Sequence, residues 1–293
     1  MNPREEQVAK AAVLIEALPY MQSFRGETFL IKVGGSAMDD PALVRSLLRD
    51  IVFMEAVGIN PVVVHGGGKA ISKAMTESGL EANFIGGLRV TDGPTIEIVE
   101  KTLSGVINPG LVESIVKYGG KAVGVPGTDV FIGEKTAGTN PDTGEPVDLG
   151  YVGRVVGFNL DPVDDAIGSD VVPVLSPLAS EMGTGQPLNV NADVAASALA
   201  GKIDAAKLIF VSDVLGVMRD PAVPESLLNT LTSAETETLI SEEVISGGMI
   251  PKVRSATEAL EAGVEKVHLI DGRIPHSLLL EVFTEGGIGT QII

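Results

Sequence analysis

Two lysines in this chain stand beside glycine pairs a long way apart, with an aspartate between them. The first is in Ile31-Lys32-Val33-Gly34-Gly35-Ser36 and the second in Gly247-Gly248-Met249-Ile250-Pro251-Lys252. The aspartate closes Asn189-Val190-Asn191-Ala192-Asp193. Glycine turns let backbone N–H groups reach phosphate oxygens, and a lysine adds a point charge. Arg89, in Gly87-Leu88-Arg89-Val90-Thr91, offers a planar fork suited to a carboxylate. Each feature also has a plainer reading. The first hexapeptide by itself is a tight strand–helix turn with an incidental lysine, Arg89 a solvated loop charge, and Asp193 a helix cap. Capping does not explain Asn189 and Asn191, which alternate with Asp193 on one side of an extended entry.

The elements around these residues must place them. Thr28-Phe29-Leu30-Ile31 reads as a buried strand, and Asp39-Asp40-Pro41 opens an amphipathic helix with Leu43, Leu47, Ile51 and Met54 on one face. Lys32 therefore lies at the carboxyl end of a first strand, where open α/β sheets place ligands. Pro61-Val62-Val63-Val64 is a second strand, ending on His65-Gly66-Gly67-Gly68. Each glycine costs about 1 kcal/mol in a helix or strand, so three together point to a close backbone approach. A helix is predicted over 69–79, an Arg89-bearing loop over 83–92, and one long helix from Pro94 to Tyr118. The next strand is 121–125. Residues 127–156 read as hairpins with turn chemistry at Thr139-Asn140-Pro141-Asp142, and 171–175 as a buried strand. Asp193 is predicted to cap an alanine-rich helix to Ala200. A strand over 207–211 ends on Ser212-Asp213, whose side chains could line a nucleotide groove. A small helix over 230–240, a helix to Ala262, a last strand over 266–270, a helix over 277–283 and a glycine loop over 285–290 complete the chain. Residues 3–22 form a helix outside this alternation, which Pro19 must kink or end.

Composition closes off several classes. Lys+Arg 21 against Asp+Glu 39 gives a net charge of −18, and no basic cluster appears, which argues against nucleic acid. Cysteine is absent, so disulfide, thiolate-metal and cysteine-nucleophile chemistry are excluded, and a reducing cytoplasm fits. The three histidines (His65, His268, His276) are scattered, so no metal centre is expected. No apolar run is long enough to span a bilayer, and the acidic start is unlike a signal peptide. Gly68-Lys69-Ala70 lacks the glycine and hydroxyl residue of a P-loop, and no Gly-x-Gly-x-x-Gly follows either strand.

Taken in order, Lys32-Val33-Gly34-Gly35, Val64-His65-Gly66-Gly67-Gly68, Gly87-Leu88-Arg89-Val90-Thr91, Asn189-Val190-Asn191-Ala192-Asp193 and Gly247-Gly248-Met249-Ile250-Pro251-Lys252 resemble the amino acid kinase family. Within it they are most similar to the branch that phosphorylates N-acetyl-L-glutamate in arginine biosynthesis. The resemblance covers residues 26–293. It implies a three-layer αβα sandwich around an open, mostly parallel sheet of about eight strands. Residues 26–180 would form a lobe for the amino acid and for dimerisation, and 181–293 a lobe for ATP.

Carried over by motif, Lys32 and Lys252 would stabilise the transferring phosphoryl group and Asp193 would orient them. Gly34, Gly35 and Gly67 would donate N–H groups to it. Gly67, Gly68, Arg89, Asn189 and Asn191 would hold the substrate, Arg89 on its α-carboxylate. Ser212, Asp213, Gly216, Gly248 and Lys252 would border ATP, with Mg2+ held mainly by the nucleotide. In the arginine-inhibited branch a kinked helix like residues 1–25 interlaces dimers into a hexamer, and Tyr20, Lys207, His268, Glu281 and Gly287 stand where its arginine site would be. A PII-type partner is left open. Three positions depart from the family pattern: Gly127-Thr128-Asp129 replaces a Gly-Lys-Asp, Val33 and Ser36 replace Tyr and Asn, and Lys69 replaces Pro. A sister kinase acting on another carboxylate, such as a carrier-linked aminoadipate, and a non-catalytic arginine-sensing relative are the alternatives. The net charge disfavours an acidic carrier protein, and the intact lysines disfavour loss of catalysis.

Overall fold

The computed structural model describes residues 2–139 and 143–293; Asn140, Pro141 and Asp142 of the expected turn lie outside the described residues. Helix α1 (Pro3–Ser23) precedes strand β1 (Thr28–Val33), helix α2 (Pro41–Ala56), β2 (Asn60–His65) and α3 (Gly68–Glu77). A hairpin, β3 (Phe84–Ile85) and β4 (Leu88–Arg89), leads into α4 (Gly93–Thr102), a π-helical turn (Leu103–Ile107) and α5 (Asn108–Lys117). Then come β5 (Ala122–Val125), β6 (Phe131–Thr139), β7 (Pro146–Phe158), α6 (Asp161–Gly168), β8 (Val172–Leu175), β9 (Leu178–Glu181) and β10 (Pro187–Asn189). The chain finishes with α7 (Ala192–Lys202), β11 (Lys207–Ser212), β12 (Thr230–Leu231), α8 (Ser233–Ser241), α9 (Met249–Glu261), β13 (Lys266–Asp271), α10 (Ser277–Val282) and β14 (Thr290–Ile292).

Eight strands form one sheet in the order β12-β14-β13-β11-β1-β2-β8-β5. Every pairing is parallel except β13 with β14. Both faces are covered, which is why its strands read as unbroken apolar runs. Alternation then sorts side chains by layer. Leu30, Val62, Val64, Leu208 and Phe210 pack with α7 and α9 on one face. Phe29, Ile31, Val33, Val63 and Ile209 pack with α2, α5 and α10 on the other. The expected three-layer, mostly parallel architecture is the one observed. Strands β6, β7, β9 and β10 form a separate small sheet closed on itself beside the main one. No described helix is long and apolar enough to cross a membrane.

Several local expectations change. The segment over 83–92 is a hairpin rather than an open loop, turned by Gly86 and Gly87 at φ of 57° and 80°. The single helix expected from Pro94 to Tyr118 runs without a gap from Gly93 to Lys117 but contains a π-turn, a feature that leaves no residue-type signature. Residues 230–240 split into β12 and α8, because Thr230 and Leu231 pair with β14. The glycine loop likewise runs into an unforeseen last strand, β14, whose register depends on a distant partner. Pro19 does not end α1, which continues to Ser23.

Candidate active site

Lys32 is the fifth residue of β1, and alternation turns its side chain to the face covered by α7. There its Nζ lies 2.8 Å from Asp193 Oδ1, and Lys252 Nζ, from the first turn of α9, lies 3.0 Å from Asp193 Oδ2. The expected cap role of Asp193 is overturned. Asn191 caps α7, its Oδ1 accepting the N–H groups of Asp193 (2.8 Å) and Val194 (3.3 Å). The asparagine satisfies the helix end, so the aspartate just inside it is left for the lysines. Burial alone would push the Asp193 carboxyl up, but the two ammonium groups hold it below the ordinary carboxylate range.

The glycine turns close one wall of this cluster. At Gly34 a Cβ would collide with Lys32 Nζ, so the missing side chain makes room for the folded-back lysine. The Gly34 N–H, expected to face a phosphoryl oxygen, instead donates to Val211 O at 3.2 Å, because β1 pairs with β11 up to its end. The amide expectation therefore narrows to Gly35 and Gly67. Gly35 sits at φ 67°, where a Cβ would stand 3.5 Å from the Asp213 carboxylate. Helix α3 begins at Gly67 without a side-chain cap, whereas α2, α4 and α8 are capped by Asp40, Asp92 and Thr232. An uncapped helix start that shares a cavity with Lys32 favours an anion.

Opposite the cluster, Arg89 is only 6% exposed, so the solvated-charge reading fails. Its Nη2 donates to Gly68 O and Ser72 Oγ, both at 2.8 Å, and its guanidinium stacks 4.7 Å from the Phe84 ring centre. Among the described residues no carboxylate pairs with it. Asn189 Nδ2 donates to Thr91 Oγ1 at 3.2 Å, and Thr91 Oγ1 donates to Arg89 O at 2.8 Å, which ties the hairpin to β10. Lys32, Gly67, Gly68, Arg89, Asn189 and Asp193 share one cavity of about 240 Å³, which Asn191 also lines. A larger cavity of about 670 Å³ also borders Gly35, Gly67, Gly68 and Arg89, but it contains none of Lys32, Asp193 or Lys252.

On the other side of Lys252, a cavity of about 400 Å³ is lined by Asp213, Gly216, Met218, Gly248 and Lys252. Gly216, at φ 144°, lets the chain pass Thr290, whose Oγ1 accepts the Val217 N–H at 2.8 Å. Ser212, 2% exposed at the end of β11, is not among the residues lining that cavity. Among the described residues no group of three His, Asp or Glu side chains is placed to hold a metal.

The remaining candidates gather behind the sheet. Lys207 Nζ stacks 5.2 Å from the Phe24 ring and 3.3 Å from His268 Nε2. His268 Nδ1 donates to Glu281 Oε1 at 2.6 Å. Glu281 Oε2 accepts the Ile288 and Gly289 N–H groups at 2.7 and 3.0 Å. Gly287 turns at φ 57°, where a Cβ would stand 2.7 Å from Glu281 Oε2. Tyr20 lies next to Phe24, 6.3 Å between ring centres. Burial, with Lys266 nearby, brings the Lys207 pKa down to about 8.

Against known proteins, the profile of the amino acid kinase family matches residues 27–271. The chain belongs to the amino acid kinase family. It is 56% identical to an acetylglutamate kinase of Akkermansia muciniphila, over 98% of this chain and 96% of that one. It is 46% identical to the acetylglutamate kinase of Pelotomaculum thermopropionicum, over 97% of both chains. Among solved structures it superposes on N-acetylglutamate synthase from Neisseria gonorrhoeae, complexed with coenzyme A and N-acetyl-glutamate, with a TM-score of 0.83 and 25% identity. That match covers 96% of this chain but 63% of the synthase, so this chain spans less than two thirds of that protein's length. Sequence reasoning misses Ser72, Phe84 and Thr91, which hold Arg89 and Asn189 in place. The helical spacing of Gly68 and Ser72 is the one available signal.

Proposed function

We propose that this chain catalyses ATP-dependent phosphorylation of the side-chain carboxylate of N-acetyl-L-glutamate, the acyl-phosphate-forming step of arginine biosynthesis. The observation that carries the reading is one cavity holding a buried arginine, with no carboxylate partner among the described residues, opposite the Lys32–Asp193–Lys252 cluster. Arg89 takes the substrate's α-carboxylate, helped by Gly68, Asn189 and Asn191, and this points the side-chain carboxylate at the lysines. ATP lies along Asp213, Gly216 and Gly248, which line the second cavity, while Ser212 is buried beneath it; Mg2+ would be held mainly by the nucleotide and would supply further charge neutralisation. A carboxylate oxygen attacks the γ-phosphorus, the bond to the β–γ bridging oxygen breaks, and ADP leaves. The nucleophile is already ionised, so no general base is needed; charge neutralisation and alignment carry the rate. Lys32 and Lys252 supply the charge, Asp193 fixes them, and the Gly35 and Gly67 N–H groups take phosphoryl oxygens.

Residues 26–180 serve as the amino-acid lobe and 181–293 as the nucleotide lobe. The Lys207–His268–Glu281 cluster with Tyr20 and Gly287 is read as an L-arginine site. Helix α1 is read as the element that assembles dimers into a hexamer: Val13, Leu14 and Ile15 are each more than 60% exposed on it. ADP release coupled to a reporter, with N-acetyl-L-glutamate as acceptor, tests the function. Turnover that requires the acceptor supports it. An inactive wild-type protein, or one equally active without the acceptor, overturns it.

A further inference from the structure

His65 closes β2 on the face opposite Lys32, alternating with Val64, and is fully buried. Its Nδ1 lies 2.9 Å from Gly66 O. A carbonyl only accepts, so the ring proton is on Nδ1. Nε2 is then an acceptor, and Asn108 Nδ2 stands 3.3 Å away to fill it. The same Nδ2 donates to Val174 O at 2.7 Å, which fixes the asparagine's orientation. Asn108 opens α5 immediately after the π-turn, so the turn's extra residue sets the rotation at which Asn108 meets the histidine. Burial also drives the His65 pKa down to about 4, so the ring is neutral at pH 7, as this pattern of one donor and one acceptor requires.

The bond has a consequence across the peptide plane. No peptide in the described chain is cis, so the Gly66 carbonyl and the Gly67 N–H point in opposite directions. With the carbonyl tied down to His65, the N–H is aimed away from it, and among the described residues nothing accepts it. Gly66 is secured at its other end by its own N–H, 2.7 Å from Val33 O. Gly67 is pinned from behind, since a Cβ there would stand 2.6 Å from Leu103 Cδ2 and 2.7 Å from Ile107 Cδ1 of the π-turn.

We propose that His65 is a positioning residue for phosphoryl transfer: its Nδ1–H holds the Gly66 carbonyl so that the Gly67 N–H is preset for the transferring group. The inference rests on the proposed kinase function. A peptide flip would replace that donor with a carbonyl oxygen facing an anion, so one buried hydrogen bond governs the sign of the charge presented. The role needs a neutral donor and no proton transfer, which separates it from acid–base use of histidine.

The test compares His65→Leu, which removes the donor, with His65→Asn, whose amide nitrogen reaches the Nδ1 position. Wild-type turnover of ATP and N-acetyl-L-glutamate is measured first; its absence would sink the kinase reading and this proposal with it, whereas a failure confined to the variants sinks this proposal alone. Given turnover, the His65→Leu variant is expected to lose at least about 30-fold in kcat while both KM values stay within about 5-fold, by analogy with loss of one oxyanion donor. The His65→Asn variant is expected to recover kcat to within about 5-fold of wild type. If His65→Leu keeps kcat within about 3-fold of wild type, or His65→Asn fails to improve on it, the proposal is wrong. Should His65→Leu not fold, His65→Gln serves instead, since its amide reaches Asn108 and not Gly66. In parallel, 15N spectra of the intact wild-type protein should place the His65 proton on Nδ1 at pH 7. A proton on Nε2 would equally overturn the assignment.

Discussion

Lys32 Nζ and Asp193 Oδ1 stand 2.8 Å apart although one belongs to β1 and the other to α7, in separate layers of the fold. The sheet's alternation turns the lysine toward that helix, and Asn191 takes over the helix cap, leaving the carboxylate unspent. Lys252 completes the arrangement from α9, so one carboxylate fixes two ammonium groups.

Asp193→Asn keeps the shape and removes the charge that holds both lysines. We expect kcat to fall by about 10²-fold or more, in the range lost with a preorganised electrostatic contact. Stability should fall as well, since two partly buried ammonium groups then face each other unneutralised. Steady-state kinetics and a denaturant melt on the same preparation check both. Unchanged kcat would remove Asp193 from the mechanism.

Arg89→Lys exchanges a planar fork for a point charge in a site shaped by Gly68, Ser72 and Phe84. KM for N-acetyl-L-glutamate should rise about 10- to 100-fold, equivalent to about 1.4–2.8 kcal/mol, with kcat and the KM for ATP little changed. A rise confined to the KM for ATP would place Arg89 on the wrong ligand.

Gly67→Ala should cost about 1–2 kcal/mol, because the new methyl group must displace Leu103 and Ile107 behind the turn. Activity should fall further than stability, since the amide moves with the Cα. Thermal melts and initial rates of the variant measure the two separately.

The buried His65 makes stability depend on acidity. Its folded pKa of about 4 lies below the ordinary 6.5, so the unfolded chain takes up a proton that the folded one refuses. Its contribution is complete above pH 6.5 and is lost as pH falls toward 4, up to about 3 kcal/mol. Urea midpoints between about pH 7 and 4.5 should fall more steeply for wild type than for His65→Asn. Parallel curves would contradict this.

Deleting residues 1–22 should leave catalysis intact while reducing both assembly and inhibition by arginine, because Tyr20 leaves with the helix. Light scattering and inhibition curves decide it. A truncated protein that stays hexameric and fully arginine-sensitive would contradict the reading of α1.

The sequence alone determines a great deal. Apolar runs with glycine at their carboxyl ends specify buried parallel strands, and five short motifs in order specify the family and its phosphate-directed chemistry. Lys32, Asp193 and Lys252 are visible because a site of this kind needs those residue types at strand and helix ends. Tertiary structure decides what each of them does locally. Asp193 reads as a cap because capping is inferred from neighbours in sequence, and only packing reveals that Asn191 takes that role. Arg89 reads as solvated because nothing beside it in the chain shows that Phe84, Ser72 and Met75 enclose it. Strands β12 and β14 are illegible for the same reason: their hydrogen bonds depend on partners far away in the chain. The π-turn, whose bonds are local, carries no residue-type signature. His65 passes as the end of a strand. Its role depends on the direction of a single peptide plane, which residue type does not encode and which Gly66, Asn108 and Val174 fix only once the layers have closed.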